Sequence, residues 1–208
     1  MNIQDKENLP NLIREVLSVR EPKRIHDGQS SYRHAGVLIP ILEDNGTHKI
    51  LFTKRTDLVE HHKGQISFPG GSVDEEDSSS LETALRESEE EIGLSREDVD
   101  VLGRIDDTLT LASDFIIHPF VGLVPYPYDF VINAGEVERL IIVPIDVFQN
   151  ENPETSIYAV EFEGETYHTQ AYEYNGDVIW GATARMIENI LWVLLRVNCP
   201  CRMIENRL

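Results

Sequence analysis

Three carboxylates, Glu87, Glu90 and Glu91, stand at i, i+3 and i+4 behind Arg86, and Gly93 closes the run. On a helix turning ~100° per residue they share roughly 100° of one face. Like charges so crowded repel one another. A hard divalent cation relieves the repulsion, because Mg²⁺ and Mn²⁺ are held by carboxylate oxygens and keep room for water and substrate phosphate. The pattern therefore predicts metal-assisted chemistry on a phosphate compound. A solvated acidic face is the competing explanation, and two features stand against it. Leu81, Ala84, Leu85 and Ile92, with Ser88, form a separate apolar stripe, so the glutamates lie beside a core face and not opposite it. The helix is also delimited: Ser79-x-x-Glu82 spells a capping box and Gly93 a C-terminal stop. Within that helix, Arg86 precedes Glu90 by four residues and either ties down a carboxylate bidentately or forms a plain helix ion pair.

Several elements must position this helix. Leu9, Leu12, Ile13, Val16 and Leu17 predict an amphipathic helix over 9–19 that docks on the body, and a polar stretch links it to the first strand. His34–Leu42 and Lys49–Arg55 read as strands joined at Asp44-Asn45-Gly46, a strong hairpin signal. Gly64–Phe68 is a short strand leading to Pro69-Gly70-Gly71, where small residues let the chain turn tightly. Further strands are expected at 98–105, 115–125, 137–145, 157–162, 165–172 and 178–180, and a long helix at about 182–197. Strands interleaved with helices predict an α/β domain, and no repeat or second domain is evident.

Composition bounds the partners. A net charge of −19 argues against DNA, RNA or an anionic membrane, and makes a polyanionic substrate unwelcome unless cations intervene. The two cysteines, Cys199 and Cys201, flank Pro200, a poor geometry for a disulfide and too few ligands for zinc; they read as free thiols of a reducing compartment. With no signal-peptide character and no apolar run approaching ~18 residues, the expected location is the cytoplasm.

Arg86-Glu87-x-x-Glu90-Glu91-x-Gly93-Leu94, preceded by Gly71, resembles the Nudix box. Asp77 stands where the box has its first Glu, the spacer from it to Arg86 is eight residues instead of seven, and Ser88 replaces an aliphatic. The segment from Leu51 to Gly71 is similar to the signature of the coenzyme A pyrophosphatase branch, and the longer spacer is typical of that branch. Pro119–Leu123, Glu136-Val137-Glu138 and Ile179–Arg185 look like its other recurring segments. One position departs: the signature's second arginine falls on Glu60.

This resemblance implies an α/β/α sandwich with a mixed sheet, plus the N-terminal helix. Residues 1–32 would be helix and linker, 33–200 the Nudix hydrolase domain and 201–208 a tail. It implies Glu87 and Glu91 as principal ligands of Mg²⁺ or Mn²⁺, with Glu90 completing the site or orienting water, and Gly71 offering backbone beside the metal. Glu90, Glu91 and Arg86 form the expected catalytic set; the general base is Glu90 or a residue on a remote loop. Arg55, Lys63 and position 60 would face a small-molecule nucleoside diphosphate derivative. Because strand side chains alternate, Lys54 and Arg55 cannot both do so, and Arg55 matches the signature. His61 and His62 read as solvent-facing, and Trp180 and Trp192 as core. The implied reaction is hydrolysis of coenzyme A or its thioesters to 3′,5′-ADP and 4′-phosphopantetheine. The alternatives are ADP-ribose or another nucleoside diphosphate as substrate, or a non-catalytic nucleotide-sensing module.

Overall fold

The structure, a computed structural model, describes residues 9–28, 32–57, 64–110, 114–150, 157–162 and 164–197. Glu60, His61, His62, Lys63, Cys199, Cys201 and the tail expected at 201–208 lie outside the described residues.

The centre of the molecule is β1 (Arg33–Asp44), whose residues from Ala35 to Leu42 are all buried. A strand covered on both faces reads as a continuous apolar run rather than an alternation, and this one does. It runs parallel to β7 (Phe115–Val124) along ten residue pairs. Its other edge is shared: β4 (Gly70–Ser72) pairs with Ala35–Val37, and β2 (Thr47–Arg55) with Ile41–Asp44. Between them Leu38 N–H donates to the carbonyl of Pro69, and Pro40, two residues on, falls in the gap where its missing N–H leaves no ladder bond unmade. The β1–β2 hairpin turns through Asn45 (φ 49°) and Gly46 (φ 79°), the two positive angles of a type I′ turn. β3 (Ile66–Ser67) and β8 (Val137–Pro144) flank β2, while β5 (Asp100–Arg104) and β6 (Thr108–Leu109) lie against β7. A separate antiparallel meander holds β9 (Ile157–Phe162), β10 (Glu165–Tyr174) and β11 (Asp177–Trp180).

Two apolar layers sandwich the sheet. On one face α2 (Ser80–Ile92) buries Ala84 and Ile92 against Leu38, Leu42, Leu51 and Phe120. On the other, α1 (Leu9–Val19), α3 (Ile145–Asn150) and α4 (Gly181–Val197) close over Ile39, Ile41 and Phe52. The fold is the expected α/β/α sandwich with a mixed sheet. α1 docks through Leu9, Ile13, Val16 and Leu17, and Arg14 pins it to β5 by donating to the Val101 carbonyl (2.9 Å) and the Asp100 carboxylate. No helix among the described residues is long and apolar enough to cross a membrane.

Three expectations need correction, and one element is new. Gly70–Ser72 is a paired strand and not only a turn, since β1 supplies partners that glycine's weak strand preference does not advertise. The strand from Val137 ends at Pro144, and Ile145 opens α3. The two-residue β6 is an addition, too short to leave a periodic pattern in the sequence. Trp192 is 39% exposed, with the Arg20 guanidinium 5.0 Å over its ring, and is not a core residue; Trp180 is half-buried.

Candidate active site

Helix α2 lies unusually close to the sheet because glycines lie beneath it. A Cβ on Gly36 would stand 2.0 Å from the Ser80 carbonyl oxygen, so only hydrogen fits where the helix crosses β1. Its cross-strand partner Gly71 has the same role on β4: a Cβ there would meet the Glu87 carboxyl carbon at 2.5 Å. The helix begins with Ser79 Oγ accepting from the Glu82 N–H (3.3 Å). Only half of the capping box forms, since the Glu82 carboxylate pairs with Arg96 instead. Gly93 (φ 67°) ends it, its N–H bonding Glu89 O, the 5→1 bond of an αL cap, and that of Leu94 reaching Ser88 O.

The three glutamates have different environments. Glu91 is buried, its side chain 3% exposed; its Oε2 has no hydrogen-bond partner among the described residues, and Oε1 lies 3.6 Å from Arg55 Nη1. Loss of hydration pushes its carboxyl up to about 8; Arg55 and the Gly70 amide work against that rise, while Glu87 and Glu136 add to it. Glu87, half-buried, is also raised by desolvation, opposed by Arg86 and reinforced by Glu90 and Glu136. Glu90 points outward, its side chain 56% exposed.

Arg86 is the hub of the helix. Its Nε and Nη2 each stand 3.0 Å from an oxygen of Asp77, a bidentate pair, while Nη1 reaches Glu87 Oε1 (2.9 Å) and Glu90 Oε2 (3.1 Å). A bidentate clamp and a helix ion pair thus coexist, and the clamp goes to Asp77, outside the helix. Asp77 also accepts from Thr83 Oγ1 (2.8 Å) and the Asp74 N–H, and these donors, Arg86 first, hold its carboxyl far below the usual carboxylate range.

On β2 the alternation sends two neighbouring cations different ways. Lys54 pairs with Glu138 (3.2 Å), leaving Arg55 to face Glu91. Beyond them, the chain before β8 is strapped to the end of α2, with Val131 N–H donating to Ile92 O and Asn133 N–H to Glu91 O. That strap brings in Glu136, whose carbonyl accepts from the Thr56 N–H and whose charge is felt by both Glu87 and Glu91. In the sequence Glu136 stands out only as a member of a recurring segment, and Asp77 only as a mismatch to the box.

Thus Gly71, Glu87, Glu91, Arg55 and Arg86 gather at one place, and Glu90 stands at its rim. As the side chains lie, no three acidic or histidine groups among the described residues converge as a ready cation cage. The donor chemistry nevertheless fits a hard cation. The groups are all oxygen, Glu87 abuts a backbone that has no Cβ, and Glu91 Oε2 is buried without a partner.

Residues 32–160 match the NUDIX domain family. A protein of Photorhabdus laumondii named as an uncharacterized Nudix hydrolase, NudL, is 35% identical over 172 residues, covering 81% of this chain and 87% of its own length. The NudL of Yersinia pestis is 35% identical over 165 residues, 79% of this chain and 81% of its own. The crystal structure of a MutT/nudix family protein from Enterococcus faecalis superposes with a TM-score of 0.53, covering 88% of this chain and 71% of that one, at 11% identity, a likeness of fold alone. From the domain match and the two NudL relatives, the chain belongs to the Nudix hydrolases and is a pyrophosphohydrolase.

Proposed function

We propose that the protein hydrolyses the diphosphate linkage of coenzyme A or its thioesters, giving 3′,5′-ADP and 4′-phosphopantetheine or its derivative. Glu87 and Glu91 would hold Mg²⁺ or Mn²⁺, with Glu90 and the Gly71 backbone completing the site. The observation that carries this is Glu91 Oε2, a buried carboxylate oxygen that no described residue satisfies, beside Glu87 and facing Arg55. A buried, unpaired charge is expensive unless a partner is supplied from outside.

The bound cation supplies charge neutralisation on the diphosphate and an acidified water. The chain does the rest. Arg55, released from Glu91 once that carboxylate has another partner, binds a phosphate oxygen. Arg86, clamped by Asp77, keeps Glu87 and Glu90 in place. Glu90, the exposed member, takes the proton of the attacking water, or Glu136 does so. No Ser–His or Cys–His pair is needed, so the reaction is a direct attack by water on phosphorus.

Support for coenzyme A comes from the signature-like run 51–71 and the lengthened spacer in the box. Glu60 in place of the signature arginine favours the second reading, ADP-ribose or another nucleoside diphosphate derivative, because a glutamate repels the extra 3′-phosphate that only coenzyme A carries. A nucleotide-sensing role is disfavoured by the intact Glu87, Glu90 and Glu91. The substrate is in either case a small molecule, processed without nucleic acid or membrane, and the cytoplasm remains the expected location. Incubation of coenzyme A, acetyl-coenzyme A, dephospho-coenzyme A and ADP-ribose with Mg²⁺ or Mn²⁺, read by product mass, tests this. Coenzyme A should give 3′,5′-ADP; cleavage of ADP-ribose with coenzyme A untouched would remove the first reading in favour of the second.

A further inference from the structure

The strap between the end of α2 and β8 is organised around one side chain. Asn133 N–H donates to the Glu91 carbonyl at 2.8 Å. Its own carbonyl accepts from the N–H groups of Glu136 (3.0 Å) and Val137 (2.8 Å). Its side-chain Oδ1 accepts from the Gly135 N–H at 3.1 Å, closing an Asx turn, and Nδ2 donates to Glu136 Oε1 at 3.2 Å. The two side-chain bonds need opposite ends of the amide, so together they fix which end is oxygen. From Glu136 the tie continues through its carbonyl to the Thr56 N–H (2.9 Å), beside Arg55. One residue therefore joins the backbone of Glu91 to the side chain of Glu136.

Nothing about an Asx turn requires the Nδ2 contact. Serine makes the corresponding turn with its hydroxyl, but is too short to reach the next carboxylate. Asn133 is exposed, so a neutral surface amide here would ordinarily be exchangeable for another turn former. The extra bond goes to a residue whose own carbonyl is tied to Thr56, next to the Arg55 that faces Glu91 Oε1 at 3.6 Å. We propose that Asn133 is a positioning residue that holds the Glu136 carboxylate against the end of α2 that carries Glu91. It acts through Glu136 and touches neither substrate nor cation. This rests on the reading of the site as a cation-binding centre and adds to it a device that keeps Glu136, the alternative proton acceptor, in register with α2.

The test separates the turn from the contact. Asn133→Ser keeps a turn acceptor for the Gly135 N–H and removes the donor to Glu136; Asn133→Ala removes both. Mn²⁺ binding to the full chain is measured by titration with paramagnetic detection, alongside kcat, KM and thermal melting. Loss of an outer group that orients the residues of a metal centre typically lowers metal affinity or activity by roughly 10- to 100-fold. Asn133→Ser should show a loss of that size in Mn²⁺ affinity and kcat, with the melting temperature of the parent. In a Glu136→Gln background the same change should add nothing further, since its only route of action has been removed. Parent-like Mn²⁺ binding and kcat in Asn133→Ser would overturn the inference, whatever Asn133→Ala does. So would full additivity with Glu136→Gln, the mark of a merely structural role. A chain that binds Mn²⁺ in an Asn133-dependent way yet cleaves none of the diphosphates would leave the inference standing and sink the proposed reaction.

Discussion

The two ends of α2 each adjoin a buried carboxylate, and the two are treated in opposite ways. At the N-terminal end, Asp77 is 4% exposed and receives two donors from Arg86, one from Thr83 and one from the backbone. At the C-terminal end, Glu91 is as deeply buried, yet it has one distant arginine and an oxygen with no partner. Desolvation pushes both upward; only Asp77 has enough donors to reverse it. Burial alone therefore does not distinguish scaffold from chemistry. The count of satisfied oxygens does: it marks the start of the helix as scaffold, and leaves its end for the chemistry of the proposed function.

The strongest way to break this comparison is Glu91→Gln. Steady-state turnover should fall on the order of 10³-fold, the middle of the range for a group that acts on the reacting centre. Stability should move the other way. The folded value of Glu91, about 8, lies above its unfolded value of 4.5, so the metal-free fold binds that proton more tightly. The stability this confers is fully present below pH 4.5 and is lost as pH rises through about 8. Denaturant unfolding in chelator should thus show the parent weakening across that window, and Glu91→Gln, which cannot ionise, should be the more stable protein at pH 8. Asp77 has the opposite sign: its depressed value gives stability that is present above 3.8 and lost as pH falls toward the folded value.

Next in size, Gly36→Ala should destabilise by about 3 kcal/mol, the upper end for overpacking, because the added carbon meets a backbone carbonyl that cannot swing away. Chemical denaturation measures it. Asp77→Asn comes after it, at about 2 kcal/mol, since charge-assisted hydrogen bonds to Arg86 are weakened while the amide keeps the shape. Gly71→Ala should have the smallest effect on stability and a purely local one on function. Its Cβ meets only the far end of the Glu87 side chain, so that carboxylate shifts while the fold stays. Mn²⁺ affinity should drop about 10-fold with melting unchanged. A large loss of stability there would erase the distinction between the two glycines.

Much of the fold is readable from residue types. The Asn45-Gly46 turn, the Ser79 and Gly93 caps and the apolar stripe of α1 each rest on chemistry within a few residues, and the structure has them at those positions. That Lys54 and Arg55 part company is a matter of strand alternation, again local. The features that escape the sequence depend on distant partners. Gly70–Ser72 is a strand only because β1 leaves an edge open for it. Asp77 reads as a poor copy of a box residue until Arg86 and Thr83 are seen converging on it, and Glu136 has no local signal that it lies between Arg55 and α2. Trp192 defies its size because a large ring under an arginine can stay at the surface.

The parallel ladder between β1 and β7 has a consequence for how the chain reaches this state. Its partners are separated by everything from β2 to β6, so closing it carries a large loop entropy, and topologies of this kind fold slowly. The β1–β2 hairpin needs only its own turn and is free to form early. β4 and α2, by contrast, rest on the stretch of β1 that this long-range ladder stabilises. On that order, the packing of α2 and its carboxylates onto β1 is expected to consolidate late in folding. Substitutions among them should speed or slow unfolding while leaving the refolding rate almost untouched, whereas changes along the β1–β7 seam should be felt in refolding itself.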